Sequence, residues 1–260
     1  MVKRDQIPTL YLVLPCYNEE AVIDKTSRVV RDKMTRLMKE GKITDRSKAL
    51  FVNDGSRDAT LRMLHDLARE DSFYGVLSFA GNYGHQSAIL AGMMEARHHA
   101  DAAVTIDADL QQDIEALDRF LECYMAGCDV VYGVRNDRNT DGFFKKMTAT
   151  AYYKLMHFLG SGALTNSADY RLMSSKALNA LAEYPESSLF LRGLIPTMGF
   201  ESDIVYFDVK AREAGESKYT FKKMVNLAMD GITSSSIRPI HMIGGLGFIT
   251  VLAARAIPLL

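Results

Sequence analysis

Apolar and polar positions in the first half of the chain fall into two alternating patterns. Short, mostly apolar runs at Thr9–Leu14, Lys48–Val52, Gly75–Phe79, Ala102–Ile106 and Asp129–Tyr132 predict buried strands. Between them, apolar residues at helical spacing predict helices over about 19–39, from Ser56 to about Glu70, over about 86–98 and over 114–126. Asn18 and Ser56 stand where helix N-caps are expected, and Asp58 falls in a first turn near the positive end of a helix dipole. The β-α-β-α order predicts an α/β fold with a mainly parallel sheet and helices on both faces. Such sheets bind ligands at the carboxyl ends of their strands, so the residues that follow each run are the informative ones.

The second half is less regular. Phe143–Leu159 predicts a long helix with paired aromatics (Phe143, Phe144, Tyr152, Tyr153) and lysines (Lys145, Lys146, Lys154). Strands are expected at Tyr170–Met173 and Asp203–Val209, and helices at Lys176–Tyr184 and Leu189–Met198. Thr220–Ser236 is amphipathic, with Phe221, Met224, Val225, Ala228 and Ile232 opposite Lys222, Lys223 and Asn226. Ile240–Leu260 carries 14 apolar side chains in 21 residues, enough to span a bilayer at ~1.5 Å per residue, though Arg255 and Pro258 interrupt it. From Ser217 onward there are five Lys/Arg and one acid, Asp230, the bias expected beside a membrane on its cytoplasmic side. The expectation is an interfacial helix over 217–239 and the start of a transmembrane segment over 240–260, with the chain stopping inside it; a buried core helix is the alternative.

Composition narrows the class. Hydrophobic residues at 48% and charged residues at 24% exclude a disordered chain, and 260 residues allow a sizeable core. A formal net charge of −1 offers no global attraction to nucleic acid, so any anion site must be local. Cys16, Cys123 and Cys128 lack C-x-x-C spacing and read as small buried thiols rather than a disulfide frame or zinc site. The stretch from Met1 to Pro8 is polar and does not read as a signal peptide, which places the expected catalytic part in the cytoplasm.

Three segments at strand ends carry candidate chemistry. Asp107-Ala108-Asp109 follows the fourth run, with Gln111 two residues further on. Two carboxylates so spaced, joined by an amide oxygen, suit Mg²⁺ or Mn²⁺ and leave positions open for diphosphate oxygens. Asn53-Asp54-Gly55 follows the second run; Gly55 permits a tight turn, and Asp54 can accept hydrogen bonds from a base or ribose. Pro15-Cys16-Tyr17-Asn18-Glu19 follows the first, offering a ring to stack on a base and an acid where helix amides gather. Solvent-facing acids, a capped strand-to-helix turn and an acidic helix N-terminus are the respective plain alternatives.

Taken together, these segments resemble the family 2 glycosyltransferases, inverting nucleotide-sugar transferases of GT-A type with a Rossmann-like sheet. The resemblance is nearest to the polyprenyl-phosphate branch, which includes dolichyl-phosphate mannose synthases and undecaprenyl-phosphate glucosyltransferases. It runs from about Leu10 to Pro239 and includes Tyr132-Gly133-Val134-Arg135, Asp169-Tyr170-Arg171-Leu172-Met173, Phe190-Leu191-Arg192-Gly193, the run from Arg212 to Tyr219, and Asp230-Gly231-Ile232-Thr233-Ser234 followed by Arg238-Pro239. Asn53-Asp54 stands where the family often has two aspartates, and the branch's second membrane helix is missing from this sequence.

The resemblance implies a nucleotide-sugar transferase domain over 1–216. Pro15, Tyr17, Glu19, Val52 and Asp54 would hold the nucleoside. Asp107, Ala108 and Asp109 would meet ribose, metal and diphosphate, with Gln111 as a further metal ligand. Arg135, Arg212 and Lys218 would bind phosphates, and Asp169 would be the catalytic carboxylate, with an ion pair to Arg171 as its plain alternative. It further implies an Mg²⁺ or Mn²⁺ cofactor and a nucleotide diphosphate sugar donor, with glucose from UDP-glucose preferred. The acceptor would be polyprenyl phosphate, the partner surface the cytoplasmic face of a membrane, and no nucleic acid is involved; a homo-oligomer stays open. Rival readings are a soluble family 2 transferase acting on a saccharide and a nucleotide-sugar-binding module without turnover. A dinucleotide dehydrogenase is disfavoured because no G-x-G-x-x-G follows the first strand.

Overall fold

The computed structural model describes residues 2–136, 167–184 and 190–209, together with 244–245, 247–248 and 250–251. The expected helices over Phe143–Leu159 and Thr220–Ser236, most of 240–260, and both Arg212 and Lys218 lie outside these residues. The chain groups into two compact units. The first comprises Met1–Thr140, Asn166–Leu189 and Met198–Ser217, and the second comprises Asp141–Thr165, Phe190–Thr197 and Lys218–Leu260.

Among the described residues, the first unit is built on seven strands: β1 (Leu10–Cys16), β2 (Lys48–Asn53), β3 (Tyr74–Ser78), β4 (Ala102–Thr105), β5 (Val130–Arg135), β6 (Ser167–Ser174) and β7 (Ser202–Phe207). Its helices are α1 (Ile23–Lys39), α2 (Thr60–Glu70), α3 (His85–Ala96), a 3-10 turn at Ile114–Ala116 running into α4 (Leu117–Met125), and α5 (Ser175–Leu181). The second unit contributes α6 (Leu191–Thr197) to the described residues. The strands lie in the order β3-β2-β1-β4-β6-β5-β7. β1, β2, β3 and β4 pair in parallel and β5 pairs in parallel with β7, while β6 runs antiparallel to both β4 and β5. The sheet is therefore mixed, with one reversed strand near its middle.

Strands and helices match because side chains alternate in the first and repeat every three to four residues in the second. Leu10, Leu12 and Leu14 enter one core cluster with Val30, Met34 and Leu37 of α1 and Phe120 of α4. Val13 points the other way, where α3 crosses β1 and β2 at Gly92; a Cβ there would run into Val13 and Val52, so only glycine lets this helix sit so close. Helices thus cover both faces.

Two expected caps are corrected. α1 starts at Ile23 and α2 at Thr60, neither with a side-chain cap. Asn18 adopts a left-handed conformation (φ 53°), which Asn tolerates, and its Oδ1 accepts from the Arg57 N–H at 2.8 Å. Ser56 Oγ accepts from the Asn18 N–H at 3.0 Å. The Glu19 N–H donates to Thr60 Oγ1 (2.9 Å), and the Ala59 N–H to Glu20 (2.7 Å). Both residues expected to cap their own helices instead lace the loop after β1 to the loop after β2. Of the cysteines, Cys16 and Cys128 are buried but Cys123 is only partly so, and the three are not joined in a disulfide.

Candidate active site

The carboxyl ends of β1, β2 and β4 lie side by side, and most of the expected donor-binding residues sit there. Pro15 is buried opposite Val52 in the parallel ladder, and Val52 turns its side chain toward α3. Tyr17 and Glu19 are half-buried in the loop beyond β1.

Asp54 is buried, and its carboxylate organises the next loop. Oδ1 accepts from the Tyr83 N–H (2.7 Å), and Oδ2 accepts from Asn82 Nδ2 (2.9 Å) and the Gly84 N–H (3.0 Å). Three of about four acceptor positions on a carboxylate are thereby filled from within the chain. Asn53 ties β2 to β3 through Ser78 Oγ at 3.0 Å. Gly55 has φ 64° and packs against Gly81, where any side chain would collide with backbone. The loops after β2 and β3 form one tight unit.

The Asp107-Ala108-Asp109 turn is held at several points. The Ala108 carbonyl accepts from buried Thr26 Oγ1 of α1 at 2.6 Å. Gln112, 2% exposed, grips Asp107 twice: the Asp107 N–H donates to Gln112 Oε1 (3.0 Å), and Gln112 Nε2 donates to Asp107 Oδ2 (2.6 Å). The Gln111 N–H donates to Asp109 Oδ1 at 3.1 Å. Leu110 takes a left-handed backbone (φ 50°), a strained state of the kind found where a fold fixes functional geometry. Gln112 also forms an antiparallel bridge with Val209 beyond β7.

Asp169 lies on β6, beside β4, and is 6% exposed. Its Oδ1 accepts from Arg171 Nη2 at 3.2 Å, and its carbonyl accepts from Thr105 Oγ1. Arg171 is itself 2% exposed, so a buried cation partners a buried anion. From α3, His85 Nε2 lies 3.4 Å from Asp107 Oδ1 and 3.6 Å from Asp169 Oδ2. Burial raises the Asp107 carboxyl above its usual range; His85 pulls the other way, the negative charges of Asp169 and Asp109 add to the rise, and Arg135 opposes it. Arg135, exposed at the end of β5, is therefore close enough to act on this carboxylate.

The structure thus brings Asp107, Asp109, Asp169 and Arg135 into one region, with the residues after β1 and β2 beside it along the strand ends. Gln112 and His85 went unnoticed in the sequence. Their only signal was position: Gln112 follows the paired aspartates and His85 opens the helix after β3, both at the strand ends where ligands bind. Asp107 and Asp109 supply hard oxygen donors that suit a divalent cation. Among the described residues, however, no group of three or more His, Cys, Asp or Glu side chains is arranged to hold a metal. The two carboxylates fit a cation whose remaining positions go to substrate oxygens and water.

Solved structures share this architecture. Glucosyl-3-phosphoglycerate synthase from Mycobacterium tuberculosis superposes with a TM-score of 0.56 over 87% of this chain and 80% of that one, at 18% identity. The mannosyltransferase PcManGT from Pyrobaculum calidifontis, in complex with GDP-Man and Mn²⁺, gives 0.55 over 96% and 80%, at 14% identity. The fold is GT-A-like, a mixed and mostly parallel α/β sheet. The family description "Glycosyl transferase family 2" matches residues 11–182, and the chain belongs to that family. It is 45% identical to an uncharacterized glycosyltransferase, YkoT, of Bacillus subtilis (strain 168), over 93% of this chain and 72% of that one. It is 37% identical to the bactoprenol glucosyl transferase of Shigella phage SfV, over 89% and 73% respectively.

Proposed function

We propose that this family 2 transferase moves a hexose, glucose from UDP-glucose, with inversion onto a polyprenyl phosphate such as undecaprenyl phosphate, at the cytoplasmic face of a membrane. The observation that carries this reading is the 37% identity, over most of both chains, to a protein named as a bactoprenol glucosyl transferase. The disposition of the carboxylates supports it.

Pro15, Tyr17, Glu19, Val52 and Asp54 are assigned to the nucleoside, and Ala108 with its neighbours to ribose and diphosphate. For Asp54 the role is partly indirect, since it shapes the 82–84 loop. Asp107 and Asp109, with Gln111, would hold Mg²⁺ or Mn²⁺, which when bound supplies positive charge to the departing diphosphate. Arg135, Arg212 and Lys218 are assigned to phosphate binding, for which arginine offers a bidentate fork and lysine a point charge. An oxygen of the lipid phosphate attacks the anomeric carbon as the bond to the nucleoside diphosphate breaks. That phosphate already carries about −1.5 to −2 charge at neutral pH, so no strong base is required. Asp169, already paired with Arg171, is suited to orienting groups around the attack rather than to taking a proton.

Residues 217–239 are assigned to an interfacial helix and 240–260 to the start of a membrane segment. Among the described residues no helix is long and apolar enough to cross a membrane. The test is release of nucleoside diphosphate from a panel of sugar nucleotides, with and without undecaprenyl phosphate. Release from UDP-glucose that rises with the lipid is expected. Release stimulated only by free saccharides would favour a soluble acceptor instead.

A further inference from the structure

Asp107 and Asp169 belong to neighbouring parts of the sheet, one just beyond β4 and one on β6, and each commits one oxygen to a fixed partner. Asp107 Oδ2 accepts from Gln112 and Asp169 Oδ1 from Arg171. The opposite oxygen of each faces a single atom, His85 Nε2, at 3.4 and 3.6 Å. Those separations are too long for good hydrogen bonds but place the ring between two like charges. His85 comes from a third element, the first residue of α3, and its side chain is 47% exposed. It is not a core residue whose loss would empty the interior.

We propose that His85 is a positioning residue for the transfer step, holding the donor-side carboxylate of Asp107 and the acceptor-side carboxylate of Asp169 aimed at one point. This rests on the roles given above to those two aspartates. Two carboxylates this close repel, and a nitrogen between them sets their separation and direction. Without the ring, Asp107 keeps Gln112 and Asp169 keeps Arg171, but the two lose their common anchor, and the anomeric carbon and attacking oxygen are held less well. A misplacement of about 1 Å is enough to cost a hundredfold in rate.

The test is a double-mutant cycle in the full chain: wild type, His85→Ala, Asp169→Asn and the pair, with His85→Gln as the conservative variant. Nucleoside diphosphate release from UDP-glucose is followed with undecaprenyl phosphate in vesicles, alongside donor KM and Tm. His85→Ala should lower kcat at least roughly tenfold while donor KM stays within about twofold and Tm holds. His85→Gln, whose amide nitrogen reaches a similar place, should recover much of the rate. Added to Asp169→Asn, His85→Ala should cost almost nothing more, because the two act as a unit. Wild-type kcat in His85→Ala, no recovery in His85→Gln, or losses that combine in full would each overturn the inference. If the wild type ignores polyprenyl phosphate, it is the functional reading that fails. The cycle is then run with whichever acceptor, water included, supports release, and the same outcomes decide the role of His85.

Discussion

At the scale of single residues, much of the polar chemistry at the strand ends is spent on building the site. Gln112 both donates to and accepts from Asp107, and Asp54 gathers three N–H groups of one loop. Gln112→Ala should therefore cost about 1–3 kcal/mol of stability, measured by chemical denaturation, as two buried hydrogen bonds are lost. It should also lower kcat/KM roughly tenfold or more, because Asp107 loses its anchor. Asp109→Ala should abolish Mg²⁺- or Mn²⁺-dependent turnover while the fold survives; full activity of the wild type in excess EDTA would sink the metal assignment. For Lys218, one phosphate contact is worth ~1.5–3 kcal/mol, so Lys218→Ala should lower kcat/KM by about ten- to a hundredfold. Unchanged kinetics would contradict its role.

At the scale of elements, α1 is a clamp on the segment that carries the paired aspartates. Thr26 holds the Ala108 carbonyl, and buried Lys33 pairs with Glu115 at 2.8 Å and with Asp118. The side-chain hydrogen bond from Lys33 is the largest influence holding the Glu115 carboxyl below its usual value. Asp118 is also lowered: burial alone would raise it, but the hydrogen bonds from Lys33 and Lys42 prevail. A carboxylate depressed in the folded state stabilises fully above its unfolded value, about pH 4, and loses that contribution as pH falls through the folded one. Thermal melts should show wild-type stability falling below about pH 4, and Lys33→Met should flatten that fall. An unaltered acid limb in Lys33→Met would show that the clamp does not contribute. On the opposite face, Gly92→Ala should destabilise by roughly 1–3 kcal/mol, since its methyl group meets Val13 and Val52.

At the scale of the whole molecule, the functional reading predicts that the domain works against a lipid surface. Lys218, Lys222, Lys223 and Arg238 would each add at most about 1 kcal/mol of salt-sensitive attraction, so the apolar residues after Pro239 must supply the rest. Cutting after Pro239 should convert tight vesicle association into binding that salt disrupts. Transfer to a short soluble phosphate acceptor should survive the cut better than transfer to undecaprenyl phosphate in vesicles. Among the described residues, the order of strands and helices was legible along the chain because buried parallel strands are continuous apolar runs and their covering helices repeat every three to four residues. Asp107 and Asp109 were legible for a similar reason: paired acids straight after an apolar run stand at a strand end. The reversal of β6 was not, because an eight-residue strand reads the same whichever way it runs, and direction is set by its pairing with β4 and β5. Nor were the roles of Asn18 and Ser56, which could satisfy either their own helix or a neighbouring loop until the loops after β1 and β2 came together. The sequence by itself determined the elements and the acids at their ends, since both depend on residues close along the chain. Only the tertiary structure decided that Gln112 and His85 face those acids, because His85 comes from an element far from Asp107 and Asp169 in sequence and Gln112 reaches back through the turn at Leu110.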